Sequence, residues 1–210
     1  MLDRIHWLGH DTFRIDGPQT VYFDPYELDG ENPEADLILV SHDHHDHCSP
    51  DDVAQIQGSD TVMVTIAAAA DKLSGDIRVV APGDTIQVKG IKVEAVPAYN
   101  VNKFRSPGEP FHPQEAGHVG FVITLEGQRI YHAGDTDYIP EMADLEDIDI
   151  ALLPVSGIYV MTAEEAVEAA EAIDPGVAIP MHVGRGIGSA EAAETFKENA
   201  PVDVVILEME

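Results

Sequence analysis

Apolar residues in the first two thirds of the chain occur in short runs that alternate with glycine, proline and polar turns. The runs are rich in Val, Ile, Thr and aromatic side chains, which is typical of β-strands. Strands are predicted at residues 4–8, 12–16, 20–24, 36–40, 61–66, 77–81, 85–88, 91–96, 119–125 and 129–133. Glycines that could supply a positive φ interrupt residues 88–93 and 124–130, so both stretches are predicted to be hairpins.

Polar residues mark the starts of three predicted helices. Ser49 is followed by proline, which fits an N-cap with proline at the first helical position. Thr162 and Glu165 have the spacing of a capping box, and apolar residues then recur at helical intervals until Asp174 and the next proline. Ser189 is predicted to cap a third helix that extends through residue 197.

Two segments share one plan, which bears on the fold class. Residues 35–53 and 148–170 each run from an acidic residue through an apolar strand and a loop into a capped helix. Almost continuously apolar strands must be covered on both faces, so this plan predicts an α/β fold with two sheets and helices outside them. No linker or low-complexity tract divides the chain, and a single domain over residues 1–210 is expected.

The charge balance restricts the partners of the protein. The chain has 39 acidic and 11 basic residues and a formal net charge of −28. Nucleic-acid binding depends on neutralisation of phosphates by Lys and Arg, so no nucleic-acid partner is expected. We hypothesise adaptation to a salt-rich cytoplasm, because molar salt screens self-repulsion within about 3 Å. Ordinary acidity without such adaptation is the alternative.

Apolar runs also bear on location. None approaches the roughly 18 to 20 residues of a membrane helix, and the first residues lack the basic and apolar regions of a signal peptide. The only cysteine, Cys48, cannot form an intramolecular disulfide. We therefore expect a cytoplasmic protein with no membrane partner, and leave a homo-oligomer open.

The stretch SHDHHDHC at residues 41–48 concentrates metal-binding side chains directly after a predicted strand. Its pattern includes His42, His44, Asp46 and His47. Neutral imidazoles and carboxylates bind divalent cations, and so many converging lone pairs would lack partners without one. The alternative is a solvated turn that binds metal adventitiously, which the flanking strand and capped helix disfavour.

Two further candidate ligands follow predicted strands. Asp135 lies in the sequence YHAGDT after one strand, and His182 lies in IPMHV after another apolar run. Each alone could be structural, since an isolated Gly-Asp-Thr is usually a turn. Together with the first cluster, they would be enough for two metal ions.

The motifs HDHHDH, GDT and PMH, in this order, resemble the metallo-β-lactamase superfamily. The stretches IHWLGHDTFRI, NKFRSPGEPFHP and TAEEAVEA resemble its branch of metal-dependent hydrolases related to ascorbate-phosphate lactonase. The resemblance covers nearly the whole chain. It implies a four-layer αββα sandwich, the metallo-β-lactamase fold, with a dinuclear site along one edge of the paired sheets.

The resemblance also implies a ligand set. The first metal is expected on His42 and His44 and the second on Asp46, His47 and His182, with Asp135 as the bridge. Many members of the superfamily have one more histidine where this chain has Asn100. The missing ligand is expected from His112, with His118 or no histidine as alternatives.

Residues 99–117 form a long loop rich in proline and glycine that contains Lys103 and Arg105. Loops of this length are often functional, so these two cations are predicted to bind an anionic part of a small substrate. The function expected is hydrolysis of a small ester, lactone or phosphoester, with Asp46 and Asp135 as catalytic carboxylates. Two Zn²⁺ ions are expected, with Mn²⁺ or Fe as alternatives. A non-hydrolytic di-iron redox or metal-sensing module on the same fold is the alternative function.

Overall fold

A computed structural model describes residues 1–210. Its strands are β1 (Ile5–Gly9), β2 (Thr12–Ile15), β3 (Val21–Phe23), β4 (Ala35–Val40), β5 (Gln57–Thr65), β6 (Asp76–Val79), β7 (Thr85–Val88), β8 (Ile91–Pro97), β9 (Phe104–Ser106), β10 (Glu109–Pro110), β11 (Val119–Leu125), β12 (Gln128–His132), β13 (Ile150–Pro154) and β14 (Val177–Met181). The predicted strands are all present, and β13 and β14 follow them.

Two six-stranded sheets make up the centre of the fold. The first has the order β1-β2-β3-β4-β5-β6, and the second has the order β14-β13-β12-β11-β8-β7. Strands β3 to β6 are parallel, as are β12, β13 and β14, while the remaining neighbours are antiparallel. The short strands β9 and β10 form a separate ribbon within the long loop.

The four α-helices are α1 (Pro50–Ile56), α2 (Ala67–Ala70), α3 (Ala163–Ile173) and α4 (Ala190–Asn199). All three predicted N-caps are confirmed: the side chains of Ser49, Thr162 and Ser189 each accept a backbone N–H from the first helical turn. Thr162 and Glu165 form both hydrogen bonds of a capping box. No helix is long and apolar enough to cross a membrane.

Two tight turns confirm the predicted hairpins. Lys89 and Gly90 join β7 to β8 with φ values of 50° and 84°, and Glu126 and Gly127 join β11 to β12 with 50° and 82°. Two successive positive φ values are what a type I′ turn requires, and this turn matches the twist of the strands that it joins.

The core is one cluster of 56 buried apolar residues contributed by both sheets and the helices. All five residues of β13 are buried, and α3 packs against this strand with its alanine-rich face. Strand β4 is likewise buried over Leu37–Val40. The predicted α/β sandwich is therefore confirmed, and the apolar strands account for its covered sheets.

The C-terminal segment connects the two sheets. Ala178 of β14 donates its N–H to Asp203 and accepts one from Val205, and Glu210 donates its N–H to the carbonyl of Trp7 in β1. Strands β14 and β1 are the outer strands of their sheets. Residues 203–210 thus cover an edge of each sheet, which would otherwise present unpaired backbone groups.

Candidate metal centre

Three strand ends bring the predicted ligands together. The segment after β4 carries His42, His44 and His47, the turn after β12 carries Asp135, and His182 directly follows β14. Asp43 and His45 of the same motif are not among these converging side chains. Asp43 pairs with Lys72 at 2.8 Å, and the side chain of His45 is 85% exposed.

The first donor group contains three imidazoles and one carboxylate oxygen. His44 Nδ1 lies 3.0 Å from His42 Nε2 and 3.2 Å from His112 Nε2, and the latter atom lies 3.1 Å from Asp135 Oδ2. Ligands of a tetrahedral Zn²⁺ with bonds of 2.0–2.1 Å are separated by about 3.3 Å. The three imidazole nitrogens lie within 4.8 Å of one another, and the distances between neighbouring donors suit ligands of one metal ion.

The second donor group uses the other oxygen of the same carboxylate. Asp135 Oδ1 lies 3.3 Å from His47 Nε2 and 3.4 Å from His182 Nε2. Asp46 Oδ2 lies 4.0 Å from His47 Nε2 and 3.4 Å from His10 Nε2. Asp135 Oδ2 thus faces His112, and Oδ1 faces His47 and His182. The two groups adjoin, because one donor atom each from Asp135, His42 and His47 also lie within 4.8 Å of one another.

Each of four imidazoles has a hydrogen-bond partner on the nitrogen that faces away from the donor groups. Such partners fix the tautomer and the ring orientation of metal-ligating histidines. The pairs are His42 Nδ1 with Ser41 Oγ (2.9 Å), His47 Nδ1 with Asp24 Oδ2 (2.8 Å), His112 Nδ1 with Asn100 Oδ1 (3.0 Å) and His182 Nδ1 with Ser156 Oγ (2.8 Å).

The inward-facing atoms are short of hydrogen-bond partners. His47 Nε2, His182 Nε2 and Asp135 Oδ1 are buried and have none. Because the Nδ1 of His47 faces the acceptor Asp24, its Nε2 is free to present a lone pair. Buried polar atoms without partners are costly, and a divalent cation would satisfy them together. The residues present therefore fit metal binding.

The pKa values of histidines in the two donor groups are shifted in opposite directions. Burial raises the pKa of Asp135, but His47 and His182 outweigh burial and hold this pKa well below its usual range. Burial lowers the pKa of His47, but Asp135 and Asp24 outweigh it and raise this pKa well above the usual value. For His42, burial and the charge of His47 both lower the pKa. These shifts favour the neutral form of His42 and the protonated form of His47, so a cation at the second group would compete with a proton on His47.

The structure places His112, rather than His118, in the first donor group. His118 stacks on the His42 ring, and its Nε2 lies 3.9 Å from Asp43 Oδ1. Burial and nearby histidines lower the pKa of His118 to about 4. The Asn100 side chain is not one of the donors and instead contacts the His112 backbone N–H and Nδ1.

A cavity of about 390 Å³ opens onto the donor groups. Arg105 is one of its lining residues and holds its guanidinium 5.6 Å from the centre of the Phe111 ring. The predicted partner Lys103 does not line it, because its ammonium is tied to Glu165 at 2.6 Å. The full lining is His44, His45, Asp46, Arg105, Phe111, His112, Asp135 and Tyr159.

Asp11 was not predicted from the sequence. It follows β1, is fully buried, and neither carboxylate oxygen has a hydrogen-bond partner. One oxygen lies 3.9 Å from His47 Nδ1, and one donor atom each from Asp11, His10, His47 and His182 lie within 4.8 Å of one another. The sequence did contain a signal for Asp11. The pair His10-Asp11 follows a predicted strand, as the His-Asp motif at residues 41–48 does.

The protein has paired sheets, and His and Asp donors converge from the strand ends. This combination is typical of a class of metallohydrolases. Residues 4–182 match the family model described as Beta-lactamase superfamily domain. A UPF0173 metal-dependent hydrolase from Methanoculleus marisnigri is 35% identical over 199 residues, which cover 92% of this chain and 87% of that protein. The chain belongs to the metallo-β-lactamase superfamily and, within it, to these metal-dependent hydrolases.

Solved structures agree with this assignment. The crystal structure of a proposed metal-dependent hydrolase from Parabacteroides distasonis has a TM-score of 0.84 and 35% identity, covering 98% of this chain and 93% of that one. CmlA from Streptomyces venezuelae, a diiron β-hydroxylase, has a TM-score of 0.78 at 13% identity and covers 98% of this chain and 52% of its own. The latter similarity shows the fold alone.

Proposed function

We propose that the protein is a dinuclear hydrolase of small anionic esters, lactones or phosphoesters. His42, His44 and His112 would hold the first cation, and Asp46, His47 and His182 the second, with one oxygen of Asp135 on each. The observation that supports this most strongly is that the two Asp135 oxygens face different imidazoles, Oδ2 that of His112 at 3.1 Å and Oδ1 that of His47 at 3.3 Å. Bound there, divalent cations supply Lewis acidity and an activated water.

The metals proposed are Zn²⁺ ions, with Mn²⁺ or Fe as alternatives at the second group. Three imidazoles with one carboxylate oxygen are a set that suits Zn²⁺. The second group has two carboxylates among its donors, and more oxygen ligands are better suited to Mn²⁺.

Asp46 orients the attacking water in this proposal. It lines the cavity, and its side chain is 20% exposed, so it can contact both the donor groups and a bound substrate. Burial raises its pKa, but His10 and His47 outweigh burial and lower it. A carboxylate that stays ionised accepts a hydrogen bond from water well, but it is a weak base.

Arg105 is proposed to bind the anionic part of the substrate. Nine of the 11 Lys and Arg side chains make an ion pair with a carboxylate, which leaves Arg105 and Lys197. In a chain with a net charge of −28, an unpaired guanidinium at the mouth of the cavity is available to a phosphate or carboxylate. Lys103, which is already paired, is assigned no such contact.

The experiment is metal reconstitution coupled to a substrate panel. Protein stripped with a chelator is reloaded with Zn²⁺, Mn²⁺ or Fe²⁺ and assayed on bis(p-nitrophenyl) phosphate, a lactone and a thioester. We expect two equivalents of metal and hydrolysis that is lost on stripping. Redox-active iron without hydrolysis of any substrate would instead support the di-iron alternative.

A pair of variants tests the role of Arg105. Arg105→Ala is expected to raise KM for an anionic substrate about tenfold or more and to leave a neutral ester unaffected. Lys197→Ala removes the other unpaired cation, on α4, and serves as the control with unchanged KM. Equal KM values for both variants on the anionic substrate would reject the assignment.

A further inference from the structure

We propose that Asn100 and Asp137 are positioning residues that set the orientation and tautomer of His112. The inference rests on the proposed function, in which His112 holds the first cation. Neither side chain is itself a member of the donor groups, and both are buried near His112.

Asn100 uses its whole carboxamide in this arrangement. Its Oδ1 accepts the backbone N–H of His112 at 2.8 Å and faces His112 Nδ1 at 3.0 Å. Its Nδ2 donates to Asp137 Oδ1 at 3.1 Å and to the carbonyl of Tyr159 at 2.8 Å. Because the backbone N–H can only donate and the carbonyl can only accept, the opposite orientation of the amide is excluded.

This orientation fixes the tautomer of His112. The oxygen of Asn100 can only accept, so His112 Nδ1 must carry the hydrogen that faces it. His112 Nε2 then presents its lone pair towards His44 Nδ1 and Asp135 Oδ2, at 3.2 Å and 3.1 Å. The amide thus leaves the imidazole in the only neutral form that can bind a metal through Nε2.

Asp137 in turn holds the loop that follows Asn100. Its Oδ2 accepts the backbone N–H groups of Val101 at 2.7 Å, Asn102 at 2.8 Å and Lys103 at 3.3 Å. The Lys103 ammonium lies 3.5 Å from Asp137 Oδ1. Three successive N–H groups on one buried carboxylate oxygen fix the backbone of this segment.

The turn after β12 therefore contributes two residues to the first donor group, one directly and one indirectly. Asp135 supplies a donor oxygen, and Asp137, two residues later, positions Asn100 and through it His112. A ligand from a long loop needs such support, since loops are more mobile than strand ends. In this chain Asn100 thus hydrogen-bonds a histidine that comes from the loop.

Asn100→Ala tests the proposal through metal affinity. We expect the first cation to bind about 10- to 100-fold more weakly, as is usual for loss of the partner of a metal-ligating histidine, while the second cation binds as in the wild type. Competition titrations with a chelator give both affinities for Zn²⁺, and their loss in His44→Ala and His182→Ala assigns the two steps.

Asn102→Ala is the matched control in the same loop. The Asn102 side chain bonds to Glu165 and not to His112, so both affinities should be unchanged. A double-mutant cycle separates positioning from general structural damage. In a His112→Ala background, Asn100→Ala should have no further effect on the first cation; an equal loss in both backgrounds would overturn the proposal.

Nitrogen-15 NMR of the wild-type protein is a second test that does not depend on a folded variant. In metal-free protein at neutral pH, the His112 signals should show hydrogen on Nδ1, and hydrogen on Nε2 would overturn the proposal. If the wild type binds no metal, the proposed function fails instead. If it binds two ions and Asn100→Ala binds both equally well, only this inference fails.

Discussion

At the scale of single residues, Asp135 is the side chain on which both donor groups depend. Asp135→Asn keeps the shape but removes the charge and one acceptor oxygen. We expect metal affinity and turnover to fall about 100-fold or more while the protein remains folded. Metal analysis, kcat/KM and circular dichroism measure this, and Asp60→Asn, on the surface, is the control. A fully active, metal-replete Asp135→Asn variant would refute the bridging role.

The sequence identifies most of the donors because the signal for each is local. A histidine or aspartate directly after an apolar strand can be recognised from neighbouring residues, as for His42, Asp135 and His182. The roles of Asn100 and Asp137 depend on partners 12 and 37 residues away. No local sequence pattern indicates that the Asn100 amide or the Asp137 carboxylate makes such contacts, so these roles were inferred only from the structure.

At the scale of elements, the start of α3 is joined to the long loop through Glu165. This carboxylate completes the capping box and pairs with Lys103 at 2.6 Å. Glutamine can still accept the Thr162 N–H, so Glu165→Gln removes only the ion pair with Lys103 and the negative charge at the helix start. It is expected to lower the free energy of unfolding by about 0.5–1 kcal/mol at pH 7. Chemical unfolding measures the change, and Glu164→Gln, in the same turn but outside the capping box, should change it little.

The effect of Glu165 should depend on pH. Burial raises its pKa, but Lys103, the Thr162 N–H and Asn102 outweigh burial and lower it below the usual 4.5. A lowered folded-state pKa contributes stability above the unfolded value and loses it as pH falls through the folded value. The stability difference between wild type and Glu165→Gln should therefore shrink below pH 4.5. A difference that grows with acid would contradict the ion pair.

Gly120 in β11 leaves no room for a side chain. A Cβ atom there would lie 2.7 Å from the carbonyl oxygens of both His132 and Ala133, which are backbone atoms close before Asp135. Gly120→Ala should cost about 1–3 kcal/mol of stability and displace the turn that carries Asp135, with weaker metal binding. Gly17→Ala, where the nearest atom is at 3.5 Å, is the control and should change neither property.

Elements were predicted better than their arrangement. Alternating and apolar runs indicate strands, and caps indicate helix starts, because both depend on residues within one element. The pairing of β8 with β11 joins strands separated by the long loop, and no pattern within either strand specifies that partner. The four-layer sandwich was predicted from the family resemblance and is confirmed, whereas the order of the strands within each sheet came from the structure.

At the scale of the whole molecule, the net charge of −28 is expected to make stability depend on salt. Screening of self-repulsion should raise the thermal midpoint as KCl increases towards about 2 M, by roughly 2–4 °C for each kcal/mol gained. A variant with several exposed Glu residues changed to Gln should show a smaller increase. Equal midpoints in dilute buffer and in molar KCl would remove the hypothesis of salt adaptation.

Residues 203–210 make the two halves of the sandwich mechanically dependent on each other. One end of this segment is hydrogen-bonded to β14 and the other to β1. The two sheets therefore cannot separate along this side unless the hydrogen bonds of the segment to one of them break. The whole chain should therefore melt in one transition. Deletion of residues 203–210 should lower the midpoint in calorimetry, because the hydrogen bonds that connect β14 and β1 through this segment would be lost.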